Sequence, residues 1–240
     1  GRFQAAAAQA SSGDNIITAY NSEPQNALIP GDTNETGGGK VGQLLFANLI
    51  AFNAKGEAEN EVADSIKPNA DSTQYTITLK DGWKFTDGTP VTAESFTKAW
   101  SYVANAKNAQ KCSSFFSSIK GYDKLQDANS LKGDEQLEGL KVKDDKTFTV
   151  DLNAPDSVFP VKIGYLAFAP LPESFYKDRS LRREAGGQRH VQARQLGSRQ
   201  ADRALQERRL QGLAEGRQQR RHLQDLHFPG LGVRRCAGGQ

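Results

Sequence analysis

Apolar and polar residues alternate through QYTITLK (74–80), placing Tyr75, Ile77 and Leu79 on one side, which predicts a half-buried strand ending at the Asp81-Gly82 turn. A helical period governs the stretch from Lys40, where Val41, Leu44, Leu45, Ala47, Asn48, Leu49 and Phe52 fall mostly on one face; this predicts a helix packed on the domain. In DGWKFTDGTPVTAESFTKAWSYV, Asp87-Gly88-Thr89-Pro90 reads as a tight turn and Thr92 as a helix N-cap. Phe96, Ala99, Trp100 and Val103 then recur at helical spacing, so the segment predicts a strand, a turn and a capped helix. Further on, Val142 and then Phe148, Val150 and Leu152 flank the polar turn Asp144-Asp145-Lys146, a β-hairpin closed by Pro155. Asn15 to Tyr20 reads as a short buried strand running into a turn-rich loop. Residues 4–14 are small and polar, which suits a flexible tether or a frayed terminus.

Composition changes this picture at one place. All 16 lysines precede residue 178, whereas 14 of the 15 arginines follow Lys177. The last 63 residues contain ten Gln and all three His but no Lys, Asn, Ile, Thr, Tyr or Trp. The overall charge of +3 therefore averages a mildly acidic part and a strongly basic one. An apolar content of 37% is enough for a core, and no run reaches the roughly 18 to 20 apolar residues of a membrane span. Cys112 and Cys236 sit on opposite sides of the break and are expected to be free thiols. His222 and His227, with four residues between them, Cys236 after a further eight and His190 distant, match no tight metal spacing, so no metal or other cofactor is expected. Signatures of catalysis are missing too: there is no nucleophile elbow and no HExxH, and Gly37-Gly38-Gly39-Lys40 lacks the spacing and following Ser or Thr of a phosphate-binding loop.

Four blocks in order resemble the extracytoplasmic solute-binding proteins of the peptide and nickel importer family, often called oligopeptide-binding proteins (family 5). They are the loop Ser22-Glu23-Pro24-Gln25, the segment GQLLFANLIAF (42–52), the block from Tyr75 to Val103 with its DGTPVTA core, and CSSFFSSIKGYDKL (112–125) followed by the hairpin and YLAFAPLPESFY (165–176). The resemblance covers about 160 residues. It implies an α/β, periplasmic-binding-protein-like fold of type II. Residues 15–177 would form an incomplete first lobe, with an inserted α+β subdomain at about 40–165. It further implies a monomer, located outside the cytoplasm, that closes on an extended peptide and hands it to a membrane permease, with no chemistry on the ligand. The membrane would be reached only through a lipidated cysteine that this chain does not show. By position, Ser22, Glu23, Pro24 and Gln25 would face the ligand, and Phe115 or Phe116 would form an aromatic wall. Glu23 equally fits a solvated turn residue, and either Phe fits the core.

The family continues after Lys177 with an Asn-Gly-x-Tyr-Lys-Leu-x-x-Trp motif that this chain lacks. Yet the codons allowed by Gly187 to Gly197, read one base later, permit Gly-Asn-Gly-Thr-Tyr-Lys-Leu-Asp-Ser-Trp. In the same shift, Leu181 to Ala185 permits Phe-Gly-Glu-Lys-Pro, and Arg234 to Gln240 permits Ala-Asp-Val-Gln-Ala-Gly-Asn. A single frameshift near codons 177–180 is thus expected, with 178–240 a disordered or loosely helical tail. It also accounts for the composition, because an AAG lysine codon preceded by C reads as CAA, glutamine. Arg-rich tails otherwise suit nucleic acid, but with Phe228 as the tail's one aromatic residue no nucleic-acid partner is expected.

Overall fold

The computed structural model describes residues 21–177. The tether, the strand expected at 15–20 and everything read from 178 onward, including His190, His222, His227 and Cys236, lie outside the described residues.

The alternation in QYTITLK becomes β4 (Gln74–Leu79), whose Tyr75, Ile77 and Leu79 are buried while the residues between them are partly exposed. It sits inside a four-stranded antiparallel sheet of order β3-β4-β6-β5, with β3 at Ala63–Pro68, β5 at Leu140–Asp144 and β6 at Thr147–Asp151. Register matches chemistry: Ile77 lies opposite Ile66 on one side and Phe148 on the other, and Tyr75 lies opposite Val150. One sheet face is therefore apolar, and the other carries Thr76, Thr78, Thr147 and Thr149. The β5–β6 hairpin turns at Asp144-Asp145-Lys146, where the Asp144 carboxylate accepts the Lys146 N–H (2.9 Å).

Helix α2 (Ala93–Ala104) lies on the apolar face, as its Phe96, Ala99, Trp100 and Val103 spacing dictates. Phe96 stacks on Phe148 (centroids 6.0 Å), Trp100 meets Phe148 edge-on (5.7 Å), and the Trp100 Nε1–H donates to the Phe168 carbonyl (2.8 Å). Thr92 is the N-cap, and its N–H donates to the Ser95 hydroxyl (3.1 Å). The strand expected before the DGTP turn is reduced to a bridge between Lys84 and Pro90, with Gly88 at φ 88° completing the turn.

The helix expected from Lys40 to Phe52 is corrected by the structure. Helix α1 spans Thr36–Leu45, Phe46 is extended, and Ile50–Phe52 is strand β1, paired with β2 (Ala58–Asn60). Asn48 decides this: its side chain accepts the Leu49 N–H (2.8 Å) and donates to the Tyr165 carbonyl (2.7 Å), fixing a bend where the apolar period would have continued the helix. Two short helices, α3 (Phe159–Lys162) and α4 (Glu173–Lys177), flank a buried return segment, Leu166 to Leu171, that runs beneath α2. All strand pairings among the described residues are antiparallel, so this part is α+β in character.

Candidate functional site

The loop from Asn21 to Asp32 wraps the N-terminus of α1, and its ties are specific. The Asn21 amide donates to the Gly37 carbonyl (2.9 Å), the Asn26 amide to Asn34 Oδ1 (3.0 Å), and Lys111 Nζ to Asn26 Oδ1. Thr33 Oγ1 closes the loop on itself by donating to the Ala27 carbonyl (2.6 Å). Two glycines of α1 have a local reason here: a Cβ on Gly37 would stand 2.6 Å from the Ser22 carbonyl oxygen, and one on Gly42 would stand 2.3 Å from Leu166 Cδ2. Backbone and loop approach this closely only because those side chains are missing.

Glu35 caps α1. Its two carboxylate oxygens accept the Gly38 N–H at 3.0 and 2.9 Å, and Oε1 also accepts the Gln25 N–H (3.2 Å). A carboxylate is well placed against the positive end of the helix dipole. Beside it opens a cleft of about 230 Å³ whose lining includes Asn34, Glu35, Thr36, Lys40, Gln43 and Tyr165.

A third segment joins from far along the chain. The Cys112 N–H donates to the Gly31 carbonyl (2.9 Å) and its Sγ approaches the Thr33 carbonyl oxygen (3.7 Å), which brings the 3-10 turn Ser113–Phe116 to the loop. Phe115, 46% exposed, packs against Tyr165 at a ring-centroid distance of 4.8 Å. Phe116 is fully buried, between Trp100 (6.1 Å) and Phe168 (4.5 Å). Of the two phenylalanines singled out in the sequence, Phe115 thus lies by the cleft and Phe116 lies in the core. Ser22, Glu23 and Gln25 are exposed and Pro24 is half-buried. Glu35, Lys40 and Tyr165 were not singled out by sequence reasoning. The signal for Glu35 was its place just before the helix; Tyr165 carries no periodic signal.

Burial, with a smaller contribution from Asp32, pushes the Cys112 thiol up to about 11, so it stays protonated, and its contact is with a backbone oxygen. No group of three or more His, Cys, Asp or Glu converges among the described residues, and no described helix is long and apolar enough to cross a membrane. A second cleft, of about 300 Å³, lies between the Thr89-Pro90 turn, α2 and α4. There Lys98 bridges Glu94 (3.2 Å) and Glu173 (3.0 Å), and the Ser174 hydroxyl donates to Asp87 (3.0 Å), a latch between α4 and the turn.

The chain is similar to known peptide-binding proteins. The oligopeptide-binding protein OppA of Bacillus subtilis is 33% identical over 147 residues, 61% of this chain and 26% of its own length. The solved Escherichia coli murein tripeptide binding protein MppA superposes with a TM-score of 0.60 at 28% identity, covering 66% of this chain and 30% of the other. Haemophilus influenzae OppA, solved in complex with RPPGFSPFR, gives 0.60 at 25% identity over 65% of this chain and 30% of its own. The chain therefore spans about a quarter to a third of the length of these relatives. Residues 57–190 match the model of the bacterial extracellular solute-binding proteins, family 5 (middle), and the chain belongs to that family.

Proposed function

We propose that the described residues form part of the first lobe of a peptide-capturing component of a bacterial ABC importer, working outside the cytoplasm. Ser22, Glu23, Pro24, Gln25 and Phe115 supply a ligand-facing wall, with Phe116 supporting it from the core. The observation that carries this reading is the convergence of the 22–25 loop, the cleft at the α1 N-terminus and the Phe115–Tyr165 pair in one place. Polar groups beside a half-exposed aromatic pair suit an extended ligand whose main chain is hydrogen-bonded and whose side chains rest on rings. The names of the relatives support the class of ligand: oligopeptide for B. subtilis OppA and murein tripeptide for MppA. No ligand bond is made or broken in this reading, and the peptide passes to a membrane permease. In this reading the protein acts as a monomer, either held on the outer face of the cytoplasmic membrane by a lipid anchor or located in the periplasm.

Residues 15–177 belong to the lobe, with the inserted subdomain at about 40–165, and residues from 178 are read out of frame. The family match ends at residue 190, beyond the composition break. The frame proposal therefore requires 178–190 to match the family better when read one base later. The test is isothermal titration with mixed tri- to pentapeptides. The 240-residue chain is expected to show no micromolar binding, because one lobe cannot close on a ligand; the product read in the other frame from codon 178 and continued is expected to bind one peptide per chain. Tight binding by the 240-residue chain, or none by the frame-restored product, would refute the proposal.

A further inference from the structure

We infer that Glu35 is a positioning residue that sets the place of the 22–25 loop; its functional meaning rests on the reading of that loop as ligand-facing. Glu35 serves two segments with one carboxylate. Both oxygens accept the Gly38 N–H in the first turn of α1 (3.0 and 2.9 Å), and Oε1 accepts the Gln25 N–H from ten residues upstream (3.2 Å). The other ties of the loop lie at its flanks, on Asn21, Asn26 and Thr33. Among the described residues, the bond to Glu35 is the hydrogen bond that reaches inside Ser22–Gln25 itself. The helix dipole and the Gly38 N–H fix where the carboxylate stands, and the loop takes its position from the carboxylate. Glu35 also lines the cleft, so the residue that holds the loop is part of the same wall.

Aspartate separates the two roles. It is a good N-cap but one methylene shorter, so Glu35→Asp keeps the bond to Gly38 and withdraws from Gln25. Amide exchange is followed residue by residue by NMR on the 240-residue chain. In Glu35→Asp, exchange at Gln25 is expected to quicken by roughly tenfold, the scale of losing a hydrogen bond to a charged acceptor, while Gly38, Ile77 and Phe148 keep their wild-type rates. Glu35→Gln, whose side-chain oxygen accepts from both donors, is expected to restore Gln25. Unchanged Gln25 exchange in Glu35→Asp overturns the inference whatever the ligand is. A failed peptide titration of the frame-restored product, with Gln25 responding as stated, strikes the ligand-facing reading and leaves the positioning role standing.

Discussion

Gly37 and Gly39 lie two residues apart in the same helix and make opposite demands. A Cβ at Gly37 meets the Ser22 carbonyl oxygen at 2.6 Å and the Ser22 hydroxyl at 2.7 Å, whereas one at Gly39 meets nothing within 4 Å. Gly37→Ala is therefore expected to displace the loop and cost about 1–3 kcal/mol, while Gly39→Ala stabilises by about 0.5–1 kcal/mol through helix propensity. Urea unfolding of both variants checks the pair, and equal effects would contradict the packing described. Glu135 gives a pH signature. The backbone N–H groups of Lys132 and Gly133, with the Asn105 amide, hold its carboxyl at about 2, below the ordinary 4.5. A depressed carboxylate stabilises the folded state above its unfolded pKa and loses that contribution as pH falls through the folded value. Thermal melts should thus show wild type above Glu135→Ala at pH 5 to 7, with the gap closing as pH approaches about 2. A gap that persists or widens towards pH 2 would contradict the assignment. Ser22 to Gln25 were reached in the sequence through family resemblance, and Glu35 was not, because the Gly run after it hides an ordinary helix start.

Elements with a clean period were legible in the sequence: β4, α2 with its Thr92 cap, and the β5–β6 hairpin all stand where the alternation and helical spacing put them. The exception is instructive. From Val41 to Phe52 the helical period persists in the side chains, yet the chain leaves the helix after Leu45, because Asn48 bonds to Leu49 and Tyr165 and because Ile50–Phe52 pairs with β2. A partner 117 residues away overrides a local pattern, and no local reading contains it. Strand β2 escaped notice for a simpler reason: its three residues, Ala58–Asn60, are all exposed and carry no alternation. The centre of the packing is Trp100, fully buried against Phe96, Phe116, Phe148 and Phe168 and hydrogen-bonded to the Phe168 carbonyl. It joins α2, the sheet, the Phe115 segment and the return segment at once. Trp100→Ala is expected to cost about 3–5 kcal/mol in chemical denaturation and to release the Phe115 ring from Tyr165. A loss below about 1 kcal/mol would mean that these elements do not share one core.

For the whole molecule, the family match runs on to residue 190, past the break in composition at Lys177. The fold described up to that residue is that of a family 5 solute-binding protein, over about a quarter to a third of its relatives' length. Beyond it, lysine gives way to arginine and glutamine, and the proposal of a frame change rests on the codons allowed there, which permit the family's later motifs one base on. Composition made that break legible without any structure, since ordinary domain boundaries do not sort Lys from Arg. The most direct test of the account is to sequence the gene's DNA across codons 170–190 and on past codon 240. The account predicts one base gained or lost near codon 178 and a continuing family-like frame downstream. A frame that stands as given, with no such sequence following in the other frame, would contradict it and make the Arg-rich segment a genuine part of the protein.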